Sequence, residues 1–128
     1  MRIRSLSGCL LAAGLTIAAG AAQAQGDAAE GERVFNRCRA CHVVDQEQNR
    51  IGPHLVGIFG RQAGSVEGFN YSDAMKESGI TWDDETLTEY LMNPRDYIPG
   101  NRMAFAGLRN EEEIQNLLAY LHEAAGES

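Results

Sequence analysis

The sequence predicts a small all-α fold of about four to five helices joined by long loops. Three observations predict it. Apolar residues recur at helical spacing in separate stretches, most regularly at Ile114, Leu117, Leu118 and Leu121, which take the i, i+3, i+4 and i+7 places of one helix face. Strand-like alternation persists nowhere, and the region from Val43 to Gly68 is punctuated by Gly52-Pro53, Gly57, Gly60, Gly64 and Gly68. The stretch Cys38-Arg39-Ala40-Cys41-His42 sets two thiols and an imidazole on one face of a helical turn, the spacing of c-type haem attachment. The loops then have a centre to wrap around, one covalent haem.

Taken in order, residues 1–24 read as an export signal. Arg2 and Arg4 precede the apolar run Cys9 to Ala22, and Ala22-Gln23-Ala24 is a small-x-small cleavage site. The apolar run is shorter than a bilayer span, so no membrane insertion is expected once the signal is removed. Residues 25–128 form one domain by the length prior. Loss of Arg2 and Arg4 leaves 9 basic against 18 acidic residues, which disfavours nucleic-acid binding. A helix is expected over residues 26–41, with Asp27, Glu30 and Glu32 near its positive end and Val34, Phe35 and Cys38 on its apolar side. Ser72 caps a short helix that Gly79 stops, and Asp83 or Asp84 caps another, with Leu87, Tyr90 and Leu91 inward, that Asn93-Pro94 ends. Tyr97 to Met103 reads as a turn-rich loop with a methionine at its tip. Asn110 with Glu113 forms a capping box that opens the last helix.

The motif allows other chemistry. A dithiol pair would want a βαβ context, a zinc site would need a fourth ligand from His54 or His122, and a disulfide between Cys38 and Cys41 would leave His42 without a role. Haem attachment uses all three residues: the sulfurs add to the vinyl groups and His42 becomes the proximal ligand. Candidates for the far side are Met75, Met92, Met103, His54 and His122. Met75 and Met92 lie in helical patterns and suit core packing, whereas Pro99 and Gly100 pin the loop of Met103; spacing alone leaves the choice open.

Beyond these residues the chain resembles the class I cytochromes c of the mitochondrial type and their bacterial periplasmic relatives, from Gly31 to Leu121. The matching pieces are CRACH, IGPHLVGIFGR, GFNYSDAMK, the helix from Trp82 to Pro94, YIPGNRMAF and LLAYL. The resemblance implies a cytochrome c fold and Met103 as the distal ligand. It implies that the carbonyl at Pro53 orients His42, that Arg61, Tyr71, Ser72 and Trp82 bond the haem propionates, and that Tyr90 lies near the Met103 sulfur. Phe105 belongs to the haem rim, and Gly31 and Phe35 meet Leu117 and Tyr120 where the first and last helices cross. Met75 stands where Asn is usual, and Asn101 replaces a Thr that would bond a propionate, though its amide could still donate. The lysine-rich front of the family is thinned to a few arginines, of which Arg37, Arg39, Arg95 and Arg102 are expected to ring the haem edge for docking.

The function so implied is a single-haem electron carrier in the bacterial periplasm, a monomer and not an enzyme. It would shuttle one electron between redox partners such as a quinol-oxidising complex, a terminal oxidase, a reaction centre or a periplasmic dehydrogenase. A peroxidase or gas-binding protein would need an open iron position and a distal acid-base group. His54 and His122 are expected to be ordinary surface histidines instead.

Overall fold

The computed structural model describes residues 12–15 and 26–127, so the expected signal segment 1–24 and its cleavage site lie, apart from 12–15, outside the described residues. The architecture is helical: α1 Ala28–Phe35, α2 Asp73–Lys76, α3 Asp84–Met92, α4 Pro94–Tyr97 and α5 Glu111–Ala124. Two isolated bridges, Phe59 with Glu127 and Gln62 with Thr81, are the extended pairings among the described residues.

The frame is the crossing of α1 and α5, the largest helix-on-helix packing among the described residues. Asp27 caps α1 by accepting from the N–H groups of Ala29 and Glu30 at 2.9 and 3.1 Å. One face of α1 then buries Gly31, Val34 and Phe35, and α5 buries Ile114, Leu117, Leu118 and Leu121. Each of these larger side chains contributes about 1.5–3 kcal/mol when removed from water. Gly31 lets the backbones touch: a Cβ there would lie 1.8 Å from the Asn116 carbonyl oxygen. Phe35 and Tyr120 close the seam with ring centroids 5.4 Å apart.

The sequence expects a helix through residue 41, but α1 ends at Phe35 and the chain continues as separate hydrogen-bonded turns. The last of these matters for the site. The N–H groups of Cys41 and His42 both donate to the Cys38 carbonyl, at 3.0 and 2.9 Å, so the motif keeps one helical turn.

The coil from Val43 to Gly68 is held by bonds to other segments rather than by its own repeats. The N–H of Gly57 donates to Ala125, Gly60 to Trp82 and Ala63 to Ile80, all between 2.7 and 2.8 Å. His122 adds a clasp. Its ring stacks on Phe59 at 3.6 Å and its Nε2 lies 2.7 Å from Asp84 Oδ1, tying α5, the coil and α3 together. It is exposed, as expected, but it is not an idle surface histidine.

Four other expectations change in detail. Ser72 caps α2 as read, but the helix stops at Lys76, before the positive-φ Gly79. Asp83 caps α3 in a reciprocal box with Thr86, and Asn93-Pro94 both ends α3 and starts α4, a turn of helix the sequence reading left as loop. Asn110 accepts from Glu112 N–H, while the Glu113 side chain reaches Arg37 instead of returning to the cap. Met92, read as core filler, is 42% exposed at the end of α3, because its apolar neighbours Leu87 and Tyr90 already fill the buried face.

Candidate functional site

The site is assembled by three segments around Cys38, His42 and Met103. The first is the turn Cys38–His42. Both thiols are free and half-buried, and burial pushes the Cys38 thiol up despite the opposing Arg37 charge.

The second segment is the loop through Gly52 and Pro53. Gly52 N–H donates to the Cys41 carbonyl at 2.9 Å, which lays the loop against the motif and brings the Pro53 carbonyl 2.7 Å from His42 Nδ1. A carbonyl can only accept, so Nδ1 carries the proton and Nε2 keeps its lone pair. Burial also pushes the His42 pKa down, keeping the imidazole neutral. Nε2 has no protein partner among the described residues, the state of an imidazole prepared to hold a metal.

The third segment carries Met103. Asn101 donates from its side-chain nitrogen to the carbonyls of Pro94 and Ile98, at 2.7 and 2.9 Å, and its Oδ1 accepts from Met103 N–H at 2.9 Å. Both amide hydrogens are thereby used within the loop. The expectation that Asn101 replaces a propionate donor is corrected: its role here is to lock the methionine loop. Arg102 secures the same loop by donating to the Tyr71 carbonyl at 3.1 Å. Tyr90 OH points at Met103 Sδ from 3.8 Å, and burial pushes its phenol up to about 12.

The remaining predicted residues gather at the polar end of the site. Trp82, Tyr71 and Ser72 are buried. Tyr71 OH accepts from Val66 N–H and Ser72 Oγ from Met75 N–H, so each hydroxyl hydrogen stays free to donate, while the Trp82 indole N–H has no protein acceptor among the described residues. Arg61 donates to the carbonyls of His54 and Val56, and no carboxylate among the described residues pairs with it. Burial pushes its pKa down, a cost that an anionic group beside it would offset. A cluster of spare donors with an unpaired half-buried cation fits haem propionates. Met103, Phe105, Leu55, Met75, Ile80 and Leu91 are only partly buried around the core, as residues lining a large apolar group would be.

The docking arginines divide. Arg37 pairs with Glu113 at 3.1 Å, and Arg39 lies 3.8 Å from Glu32 with its guanidinium over the Phe35 ring. Among the described residues Arg95 and Arg102 make no ion pair, and the same holds for Arg50 and Arg109, which the sequence reading passed over. Gly52 was also missed: a Cβ there would lie 2.4 Å from His42 Cε1. Pairing and close approach are properties of the folded chain, and no local pattern announces them.

Comparison with known proteins gives the family of the chain. The cytochrome c family profile matches residues 28–125. Cytochrome c2 of Blastochloris viridis is 47% identical over 109 residues, 84% of each chain. Cytochrome c-554 of Methylosinus trichosporium is 45% identical over 124 residues, 94% of each. Among solved structures, cytochrome cH from Methylobacterium extorquens superposes with a TM-score of 0.73 at 41% identity, covering 77% of this chain and 99% of that one. The chain therefore belongs to the class I cytochromes c, and it is a single-haem electron-transfer protein that carries one covalently bound haem c.

Proposed function

We propose that Cys38 and Cys41 hold the haem as thioethers, that His42 and Met103 are its two axial ligands, and that the protein works as a periplasmic one-electron shuttle rather than as an enzyme. When bound, the haem supplies the one-electron couple, and a neutral thioether ligand favours its reduced form. The chain's own residues keep the site from rearranging. Pro53 holds His42 Nδ1, Asn101 and Arg102 pin the Met103 loop, and Tyr90 directs its O–H at the sulfur.

The observation that carries this reading is the preparation of two ligands at once: an imidazole with a free Nε2 and a thioether on a loop locked by three side-chain hydrogen bonds of Asn101. A peroxidase reading would need a base near the methionine. The polar group there is Tyr90, whose phenol at about 12 is a poor one. The test is the ferric spectrum. It should show the weak red-edge absorption of a methionine-to-iron bond; Met103→Ala should lose the band and gain exogenous ligand binding, whereas a band that survives in Met103→Ala removes this assignment.

The expected signal segment and the c-type motif support export to the periplasm, with cleavage after Ala24. Partners would be membrane or periplasmic redox proteins of the kinds a soluble carrier serves: a quinol-oxidising complex, a terminal oxidase, a reaction centre or a dehydrogenase. Of the four arginines expected at the haem edge, Arg95 and Arg102 keep their charges available for docking, since Glu113 and Glu32 partly neutralise Arg37 and Arg39. Exposed charges are screened beyond about 8 Å at physiological salt, so a partner with an acidic face would feel this local patch above the acidic whole.

A further inference from the structure

We propose that Gly52 sets the rotation of the His42 ring, by occupying one face of the imidazole so closely that no side chain fits between them. The inference rests on His42 as an axial ligand. A Cβ built on Gly52 would lie 2.4 Å from Cε1, 2.8 Å from Nδ1 and 2.9 Å from Nε2 of His42, all below the 3.0 Å that real Cβ contacts respect. The near equality of these distances fixes the direction of approach. Contact in the ring plane at Cε1 would leave both nitrogens much farther away than Cε1, so Gly52 sits over the flat face.

The backbone itself does not ask for glycine here. Gly52 is absent from the positive-φ glycines, so alanine could adopt its conformation without strain. The requirement is space. Gly52 is buried while its neighbour Ile51 is 80% exposed, so a bulky side chain is tolerated at the position facing outward and excluded at the one facing the ring.

Two constraints then act on one imidazole. The Pro53 carbonyl, 2.7 Å from Nδ1, fixes where that edge points but leaves tilt about the hydrogen bond soft. Gly52 blocks the tilt toward its side. The wall is firm, because Gly52 N–H donates to Cys41, its carbonyl accepts from Arg50 N–H, and Leu55 N–H donates to Val43, at 2.9, 2.9 and 2.8 Å. With the loop pinned, a methyl at position 52 displaces the ring. Gly52 is thus a positioning residue that acts through His42, and a ligand's orientation is what such neighbours tune.

The test uses the ferric holoprotein, where the order and spread of the hyperfine-shifted haem methyl proton resonances report the plane of the axial imidazole. Gly52→Ala should change that order, while Ile51→Ala, one residue away and pointing out, should keep the wild-type order. An unchanged order in Gly52→Ala overturns the proposal. If Gly52→Ala does not mature, the reduced wild type decides: a strong NOE between the Gly52 Hα protons and His42 Hε1 supports the contact, and its absence refutes it. The methionine-to-iron band, read on the ferric wild-type protein, separates this from the ligand assignment, since its absence would fault Met103 and leave the Gly52 contact standing.

Discussion

Replacing Gly31 by alanine would strike the frame that holds the haem motif in place. The added Cβ would meet the Asn116 carbonyl oxygen at 1.8 Å, the Asn116 carbonyl carbon at 2.5 Å and Tyr120 Cβ at 2.8 Å. Ordinary contact begins near 3.4 Å, so the difference from 1.8 Å requires α1 and α5 to part by about 1.6 Å at the crossing. The obstacle is backbone in the interior of α5 and cannot rotate aside. A gap of 0.5–1 Å already forfeits roughly a quarter to a half of each van der Waals contact, so Val34 and Phe35 would lose much of their packing on Leu117 and Tyr120. With overpacking costing about 1–3 kcal/mol, a total near 3 kcal/mol is expected, the upper end because the two nearest blocking atoms are backbone. For a domain of this size each kcal/mol moves Tm by about 4–8 °C, so the midpoint should fall by roughly 12–24 °C. Thermal unfolding of the reduced holoprotein, followed by far-ultraviolet circular dichroism, measures it. A fall of less than about 4 °C, under 1 kcal/mol, would mean that the helices do not cross at Gly31.

Other substitutions probe the site and its charges. Tyr90 is raised from 10.0 to about 12 by burial, so its contribution to stability is full below the unfolded value and is lost as pH rises through the folded one. Denaturant titrations should show stability draining between pH 10 and 12, and Tyr90→Phe should flatten that decline; equal slopes would place Tyr90 in water. Asp83 is held below the usual carboxylate range first by its bond from Thr86 N–H, so Asp83→Ala should cost about 1 kcal/mol at neutral pH. The sign runs the other way from Tyr90: that stability is present above the unfolded value near 3.9 and fades as pH falls through the folded one, so wild type and variant should converge in acid. For docking, removing the Arg37–Glu113 pair together, as Arg37→Gln with Glu113→Gln, should leave the second-order electron-transfer rate at low salt nearly unchanged, whereas Arg95→Gln should slow it. The reverse order would return the docking patch to the cysteine flank.

Legibility followed the range of the interactions. The last helix was readable because Ile114, Leu117, Leu118 and Leu121 repeat at helical period, and the haem turn because Cys38, Cys41 and His42 are neighbours in sequence, whereas the crossing of α1 and α5 came from resemblance. The Pro53 and Tyr90 placements came from resemblance, and their short contacts to His42 and Met103 agree with it. What escaped reading depends on partners far along the chain. Glu113 looked like half of a capping box, but Arg37 lies 76 residues away and takes it, which also removes Arg37 from the free docking charges. Asn101 looked like a substitute propionate donor until both its hydrogens were found on Pro94 and Ile98. His122 gains its role from Phe59 and Asp84, which only folding brings together. The start of α4 was the avoidable miss: Asn93 as cap with Pro94 in the first turn is a local signal.

The central claim, that Met103 faces the haem iron opposite His42, is tested most directly by labelling methionine methyl groups with carbon-13 in the reduced holoprotein. Besides Met1, the chain has three methionines, Met75, Met92 and Met103. The account predicts one methyl resonance moved far upfield by the haem ring current, absent from Met103→Ala and present in Met75→Ala and Met92→Ala. No such resonance, or its loss on changing Met75 or Met92 instead, would contradict it.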